Sequence, residues 1–371
     1  MIPCYHEPDV HGTLNSLLEC VNGNFVTEIL LVINSYQFND NDIKEANRRT
    51  YRESLDFAAR HNNPHFRLIP LLIEDLPGHQ SGAGIPRKLG MDEALCRFDR
   101  IGRNQGIIVS LDADCTVDTN YLTEIYRLFH AHDLCSATIA FHHPTEHLPE
   151  TDPVRKAATI YENYLRYYRA ALEYCGYPYA YYTIGSAIAV RCETYARAGG
   201  MSKLQAGEDF YFMQKVFPLG KTRFIDTTCV YPAARLSDRV PFGTGPELIK
   251  LTAGAQPIKT TYSVESFQLL KTFFCRIDRF YHTPTDAIAD IISELPDPLK
   301  AFLENETITD RLEEINRNTN RPEAFRKRFF NYFNAFKILK YLNFVHPRYF
   351  APVEVNMAID RLKVVIRNED G

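Results

Sequence analysis

The chain has 371 residues, 45% hydrophobic and 24% charged, with a formal net charge of −4. That length suits two domains or one large domain with an appendage, and the composition excludes a disordered chain. The charge balance lacks the basic excess of a dedicated nucleic-acid binder, so no nucleic-acid partner is expected.

Met1-Ile2-Pro3-Cys4-Tyr5-His6-Glu7 reads as the end of a strand entering a loop, followed by Val10, Leu14, Leu17, Leu18 and Val21 at helical spacing. An interior parallel strand usually needs about five residues. Only Met1 and Ile2 precede Pro3, so the first strand is expected to be short or frayed and the native start to lie upstream. Glu28 to Asn34 is a buried-strand run, and Asp42 to His61 a polar helix carrying Ala46, Leu55, Phe57 and Ala58. The alternation continues through the strand Phe66 to Leu72, a helix from about Pro86 to Phe98, the strand Gly106 to Asp112, the helix Asn120 to His130 and the strand Ser136 to Phe141. Elements in this order predict an α/β fold, a mostly parallel sheet between helices. Beyond residue 150 a long helix, about Asp152 to Tyr174, leads into an aromatic loop, Tyr174 to Tyr182. Short elements follow to about Val230, then a loop with Gly and Pro from Pro232 to Pro246, and from about Tyr262 the pattern is mainly helical.

The nine cysteines form no CxxC and are odd in number, which fits free thiols in a reducing compartment. No apolar run approaches the about 20 residues of a membrane span, and no signal peptide opens the chain. A cytoplasmic location is expected.

The sharpest chemical signal is Leu111-Asp112-Ala113-Asp114-Cys115, at the carboxyl end of the most apolar strand. Residues two apart in extended backbone point the same way, so Asp112 and Asp114 converge where open α/β sheets bind ligands. Two hard carboxylates suit Mg or Mn with positions left for phosphate oxygens; the competing reading is a pair of loop carboxylates capping the helix near Asn120. Arg87 and Lys88 lie near a helix N-terminus, where backbone N–H groups favour phosphate, or else on a solvated helix face. Arg235 and Arg239, in a segment with Gly243 and Gly245, are cations on a hinged loop that could cover a diphosphate. Glu208 and Asp209 open a helix that runs to about Phe217. Adjacent helical residues diverge by about 100°, so only one of the two faces a given atom. His142, His143, Glu146 and His147 form a second polar cluster, better explained as a solvated loop than as a zinc site.

Five segments, taken in order, resemble the inverting family 2 glycosyltransferases of the GT-A fold. Ile2 to Glu7 resembles that family's opening I-P-x-Y-N-E loop, and Gly84 to Ala94 its G-x-x-x-A-R-N-x-G-x-x-x-A helix start. Asp112-Ala113-Asp114 sits where the family keeps its metal-binding DxD. Gly185 to Gly200, with Arg191 and Gly199-Gly200, is similar to the stretch before the acceptor site, and Gly207-Glu208-Asp209 to the following E-D motif. The chain departs from the pattern at His6, at Asn34, where the family often has Asp to read the base, and in lacking a metal-ligating His near residue 235.

The resemblance implies a GT-A catalytic domain over residues 1–245 and a helical C-terminal region over 246–371. Residues to about 115 would form the nucleotide-binding half, and 116–245 the acceptor half and lid loop. It implies an inverting, metal-dependent enzyme of the hexosyltransferase type in polysaccharide or glycoconjugate synthesis. The donor would be a UDP- or GDP-linked sugar, and the acceptor a glycan, a lipid-linked or a small molecule. Pro3, Tyr5, Glu7, Asn34, Arg87, Lys88, Asp112, Arg235 and Arg239 would bind the donor, Asp112 and Asp114 the divalent Mn or Mg. Asp209 would be the base, with Glu208 holding a neighbouring group. A silent nucleotide-sugar-binding module has no need of that base. A sugar-phosphate nucleotidyltransferase would open with a Gly-rich loop that this N-terminus lacks. Between Arg321 and Lys340, Arg326, Lys327, Arg328 and Lys337 interleave with Phe325, Phe329, Phe330, Phe333 and Phe336. Such a segment either lies on an anionic membrane, mediates a homo-dimer or packs its phenylalanines inside.

Overall fold

The computed structural model describes residues 1–20, 23–77, 82–237, 243–254 and 259–370, the last by its backbone. In chain order the elements begin β1 (Ile2–Cys4), α1 (Val10–Glu19), β2 (Thr27–Tyr36), α2 (Asn41–His61), β3 (Phe66–Leu76) and α3 (Gly84–Arg100). They continue β4 (Ile107–Ser110), β5 (Cys115–Val117), α4 (Tyr121–His132), β6 (Ser136–Phe141), α5 (Pro153–Tyr174), β7 (Ile188–Arg191) and α6 (Cys192–Arg197). Then follow α7 (Glu208–Val216), β8 (Thr222–Pro232), α8 (Thr244–Thr252), β9 (Thr260–Thr261), α9 (Val264–Phe274), α10 (Thr285–Ser293) and α11 (Asp297–Asn305). The chain closes with α12 (Ile308–Arg317), α13 (Pro322–Tyr332), α14 (Ala335–Val345), β10 (Val353–Glu354) and α15 (Val355–Asp370).

The structure divides into two compact units, Met1–Ala158 with Thr183–Gly254, and Thr159–Tyr182 with Ala255–Gly371. A single boundary at residue 245 misses that the second unit takes most of α5 and the aromatic loop from the middle of the chain. In the first unit, β1, β2 and β3 are parallel, in the order β1-β2-β3. β2 is buried along most of its length because Ile29 to Ile33 is a continuous β-branched and leucine run, suited to a strand covered on both faces. The Met1 N–H₃⁺ donates to Val109 O at 2.8 Å and Met1 O accepts from Leu111 N at 3.1 Å, joining β1 to the end of β4.

Beyond that seam the order is β4-β7-β6-β8-β5, where β4–β7, β6–β7 and β5–β8 are antiparallel and β6–β8 parallel. The α/β architecture is therefore the expected one, with a mixed sheet: the parallel half is the part built from strand–helix–strand crossovers. Ile2, Leu31, Ile33, Leu111, Ile125, Phe129 and Ile139 belong to one hydrophobic core beneath both halves. The second unit is a cluster of helices with a two-stranded β9–β10 ribbon. Its core is aromatic, with Phe273, Phe302, Phe329 and Phe333 each 0% exposed.

Candidate active site

The Asp112–Asp114 turn leaves the carboxyl end of β4, next to the seam with β1. It is held from two sides, since the Thr13 hydroxyl donates to Ala113 O at 2.8 Å and Ala233 N donates to Asp114 O at 3.1 Å. Ala113 is buried, while the Asp112 and Asp114 side chains keep 38% and 25% of their surface. Both carboxylates are thus presented from a fixed backbone to a partly open space.

Arg87, in the first turn of α3, is the hub that connects this turn to α7. Its side chain is 4% exposed, and every nitrogen is bonded. Nε donates to Glu208 Oε1 at 3.1 Å, Nη2 to Asp112 Oδ1 at 2.8 Å, and Nη1 to Ser110 Oγ at 2.5 Å and Gly185 O at 2.8 Å. Burial works against the guanidinium charge, but Asp112 and Glu208 outweigh it and raise the pKa. Arg87 is therefore neither on a solvated helix face nor a loose phosphate donor; it ties three other chain segments, at 110–112, 185 and 208, to α3. Gly82 and Gly84 let the chain arrive here, for a Cβ on either would lie 2.1 Å from the carbonyl oxygen of Gln205 or Leu204. Only glycine admits the backbone that leads into α7 so close to the start of α3.

On the other side of the turn, Arg235 donates to both oxygens of Glu7, through Nη1 at 2.8 Å and through Nη2, and Nη2 also lies 2.9 Å from Asp114 Oδ2. Glu7 is 6% exposed. The His6 N–H before it donates to Asn47 Oδ1 at 3.0 Å, with His6 itself at φ 46°. Tyr5 accepts from Asn39 Nδ2 at 2.8 Å, and its ring lies 5.8 Å from that of Tyr36. Pro3 pairs with Val32 inside the sheet. Asn34, at the far end of β2, is 0% exposed, so it sits behind the cleft and not on its surface. Neither atom of its carboxamide makes a hydrogen bond of acceptable geometry.

Glu208 and Asp209 are the first residues of α7, entered through Gly207 at φ 72°. Glu208 is 3% exposed and is committed to Arg87. Asp209 is half-buried, and Oδ1 accepts from the Phe210 N–H at 2.7 Å. Burial, then the adjacent Glu208 charge, push its pKa up to about 7, with Arg87 opposing and Asp112 adding to the rise. The two neighbours have therefore separated in role: one carboxylate is neutralised by a buried cation, the other is poised near neutrality.

No protein-family model and no curated protein matches the chain. Among solved structures, S. aureus TarS 1–349 in complex with UDP-GlcNAc is similar with a TM-score of 0.44 and 12% identity, over 89% of this chain and 90% of that one. The same protein with UDP gives 0.41 and 12%, over 90% of each chain. GalNAc-T7 with UDP, GalNAc and Mn2+ gives 0.39 and 13%, over 82% of this chain and 53% of that one. At these scores the similarity carries no functional weight, and what the cleft can do follows from its own side chains.

Among the described residues, no group of three or more His, Cys, Asp and Glu side chains is placed to hold a metal ion. Asp112 and Asp114 remain a hard-oxygen pair of the kind that holds Mg or Mn together with phosphate oxygens and water. Each of the two already faces a cation, Asp112 the Arg87 guanidinium and Asp114 that of Arg235. The donor set therefore fits such an ion in its chemistry.

Other expected site residues fall elsewhere. Lys88 pairs with Asp92 at 2.8 Å, and Asp92 accepts from the Tyr195 hydroxyl at 2.6 Å, so this cation is spent on holding α3 to α6. Arg239 lies outside the described residues. His142 pairs with Glu146, and His143 is buried with Nε2 3.3 Å from Thr244 Oγ1. In the second unit, Tyr177 is buried against Tyr179 and Phe330, a packing role within the aromatic loop. Phe325, Phe329, Phe330 and Phe333 are also buried there, which removes the aromatic half of the expected membrane or dimer face. No helix among the described residues is long and apolar enough to cross a membrane. All nine cysteines are free thiols. Ser110 is a site residue that sequence reasoning missed, having no motif of its own, and Gly185, the first residue of the fourth motif segment, enters the site through its carbonyl oxygen.

Proposed function

We propose that this protein transfers a sugar from a nucleotide-diphosphate donor to an acceptor hydroxyl with inversion, in the manner of family 2 glycosyltransferases, in polysaccharide or glycoconjugate synthesis. The observation that carries the reading is Arg87, which draws Asp112 of the DxD turn and Glu208 of the E-D pair onto one buried guanidinium, leaving Asp209 beside them with its pKa raised to about 7. A base poised near neutrality, set next to hard carboxylates at the carboxyl end of a sheet, suits removal of a proton from an acceptor hydroxyl.

In this reading Asp209 accepts the acceptor proton. Arg87 and Glu208 hold its helix start against the DxD turn. Asp112 and Asp114 hold a divalent Mn or Mg, which when bound would offset charge on the departing diphosphate. Arg235 is the described cation able to turn from Asp114 toward that group. Tyr5, part-exposed in the opening loop, is the aromatic residue on the side where a uracil or guanine would be received; Asn34, 0% exposed behind it, does not reach a base edge.

The test is incubation with UDP- and GDP-linked sugars, with and without Mn. Release of nucleoside diphosphate supports transfer; pyrophosphate release would mean a nucleotidyltransferase, and binding without turnover a silent module. Asp114→Ala is expected to weaken metal-dependent donor binding while leaving the fold intact, and Asp209→Asn to abolish turnover while sparing donor binding.

A further inference from the structure

A cleft of about 540 Å³ lies between α12 and α13, wholly inside the helical unit. Its wall carries Arg311, Lys327 and Arg328, with Asn331, Tyr332 and Ile315 beside them. Residues 308–332 hold six Arg and Lys against four Asp and Glu, in a chain whose net charge is −4. The acid in the cleft, Glu314, is taken by Arg311 at 2.7 Å. Among the described residues Lys327 and Arg328 make neither a hydrogen bond nor an ion pair. Adjacent cations repel one another and are kept together most easily when an anion completes them.

The cleft is not merely a charged surface. Arg311 lies over the Tyr332 ring, 5.7 Å from its centre, and Ile315 is 7% exposed beneath. Lys337 also lies over that ring, 4.8 Å from its centre, so the site pairs a cationic rim steadied by an aromatic ring with the Asn331 amide, the combination that receives an acidic substituent and the hydroxyls beside it on a sugar. A bilayer is the poorer fit, because Phe325, Phe329 and Phe330 of α13 point into the unit's core and leave no apolar face to insert.

We propose that the α12–α13 cleft binds an anionic saccharide, a sugar unit bearing carboxylate or phosphate, and so docks an acidic acceptor chain. The acceptor role rests on the transferase reading above; the binding does not. Calorimetric titration of the full chain with tetragalacturonate and with glucose 6-phosphate distinguishes carboxylate from phosphate. Neutral maltotetraose and phosphatidylglycerol vesicles serve as the contrasting probes. At least one acidic saccharide is expected to bind, more weakly as salt rises, and maltotetraose is not. Lys327→Glu with Arg328→Glu, both exposed, should weaken that binding at least about 10-fold. Tyr332→Ala, which releases Arg311 from the ring that holds it, should weaken it about 5-fold while the charge is unchanged. UDP affinity should be the same in all three proteins. The proposal is overturned if neither acidic saccharide binds, if the charge-reversed protein binds as the wild type does, or if vesicles bind and the saccharides do not. Failure of UDP to bind the wild type would instead remove the transferase reading and leave the cleft result standing.

Discussion

Arg87→Met keeps most of the aliphatic stem and deletes the guanidinium. Glu208, with its side chain 4% exposed, is then a buried carboxylate without its counter-ion. Breaking a buried pair from one side costs about 3–5 kcal/mol. Asp112, 38% exposed, regains water and adds at most about 1 kcal/mol. Because the chain has no Trp, urea unfolding is best followed by far-UV circular dichroism. With a slope near the upper end of the usual range, about 3 kcal/mol per molar, the midpoint of the first unit should fall by roughly 1–2 M. Adding Glu208→Gln removes the stranded charge and should recover about half of the loss or more. A midpoint shift under about 0.3 M, or a double variant no more stable than the single one, would refute the bracket role of Arg87.

The raised pKa of Asp209 predicts that kcat/KM climbs as pH rises through about 7 and then levels off, since only the deprotonated carboxylate accepts a proton. Asp209→Asn should lose on the order of 10²-fold or more in rate together with that limb; a limb lying below pH 5 would remove Asp209 as the base. Gly84→Ala puts a Cβ 2.1 Å from Leu204 O, so the segment entering α7 must shift. Overpacking of this kind costs about 1–3 kcal/mol, and thermal unfolding unchanged from wild type would show that the segment yields freely. Phe329→Ala, at a residue 0% exposed and packed against Phe273 and Phe333, should cost about 3–5 kcal/mol. An undiminished melting temperature would put that ring outside the core.

The sequence by itself determined the elements and the ends of them that matter. Continuous apolar runs, helical spacing and the E-D pair after Gly207 are local patterns, and the DxD turn and α7 stand where those patterns put them. Strand direction beyond β4 is not such a pattern. A buried strand reads alike whether its neighbour is parallel or antiparallel, and β7 was placed by pairing with β4 and β6, far away in the chain. The same holds for side chains. Arg87 meets partners 23, 25, 98 and 121 residues away, and Arg235 meets Glu7 across 228, so charge type was readable but commitment was not. The phenylalanines of α13 make the clearest case. Their spacing announces an apolar face, yet only the arrival of Phe273 and Phe274 from α9 and Phe302 from α11 decides that this face is core. Burial is a property of what the rest of the chain brings to a surface, and closure over long sequence distances is what tertiary structure alone supplies.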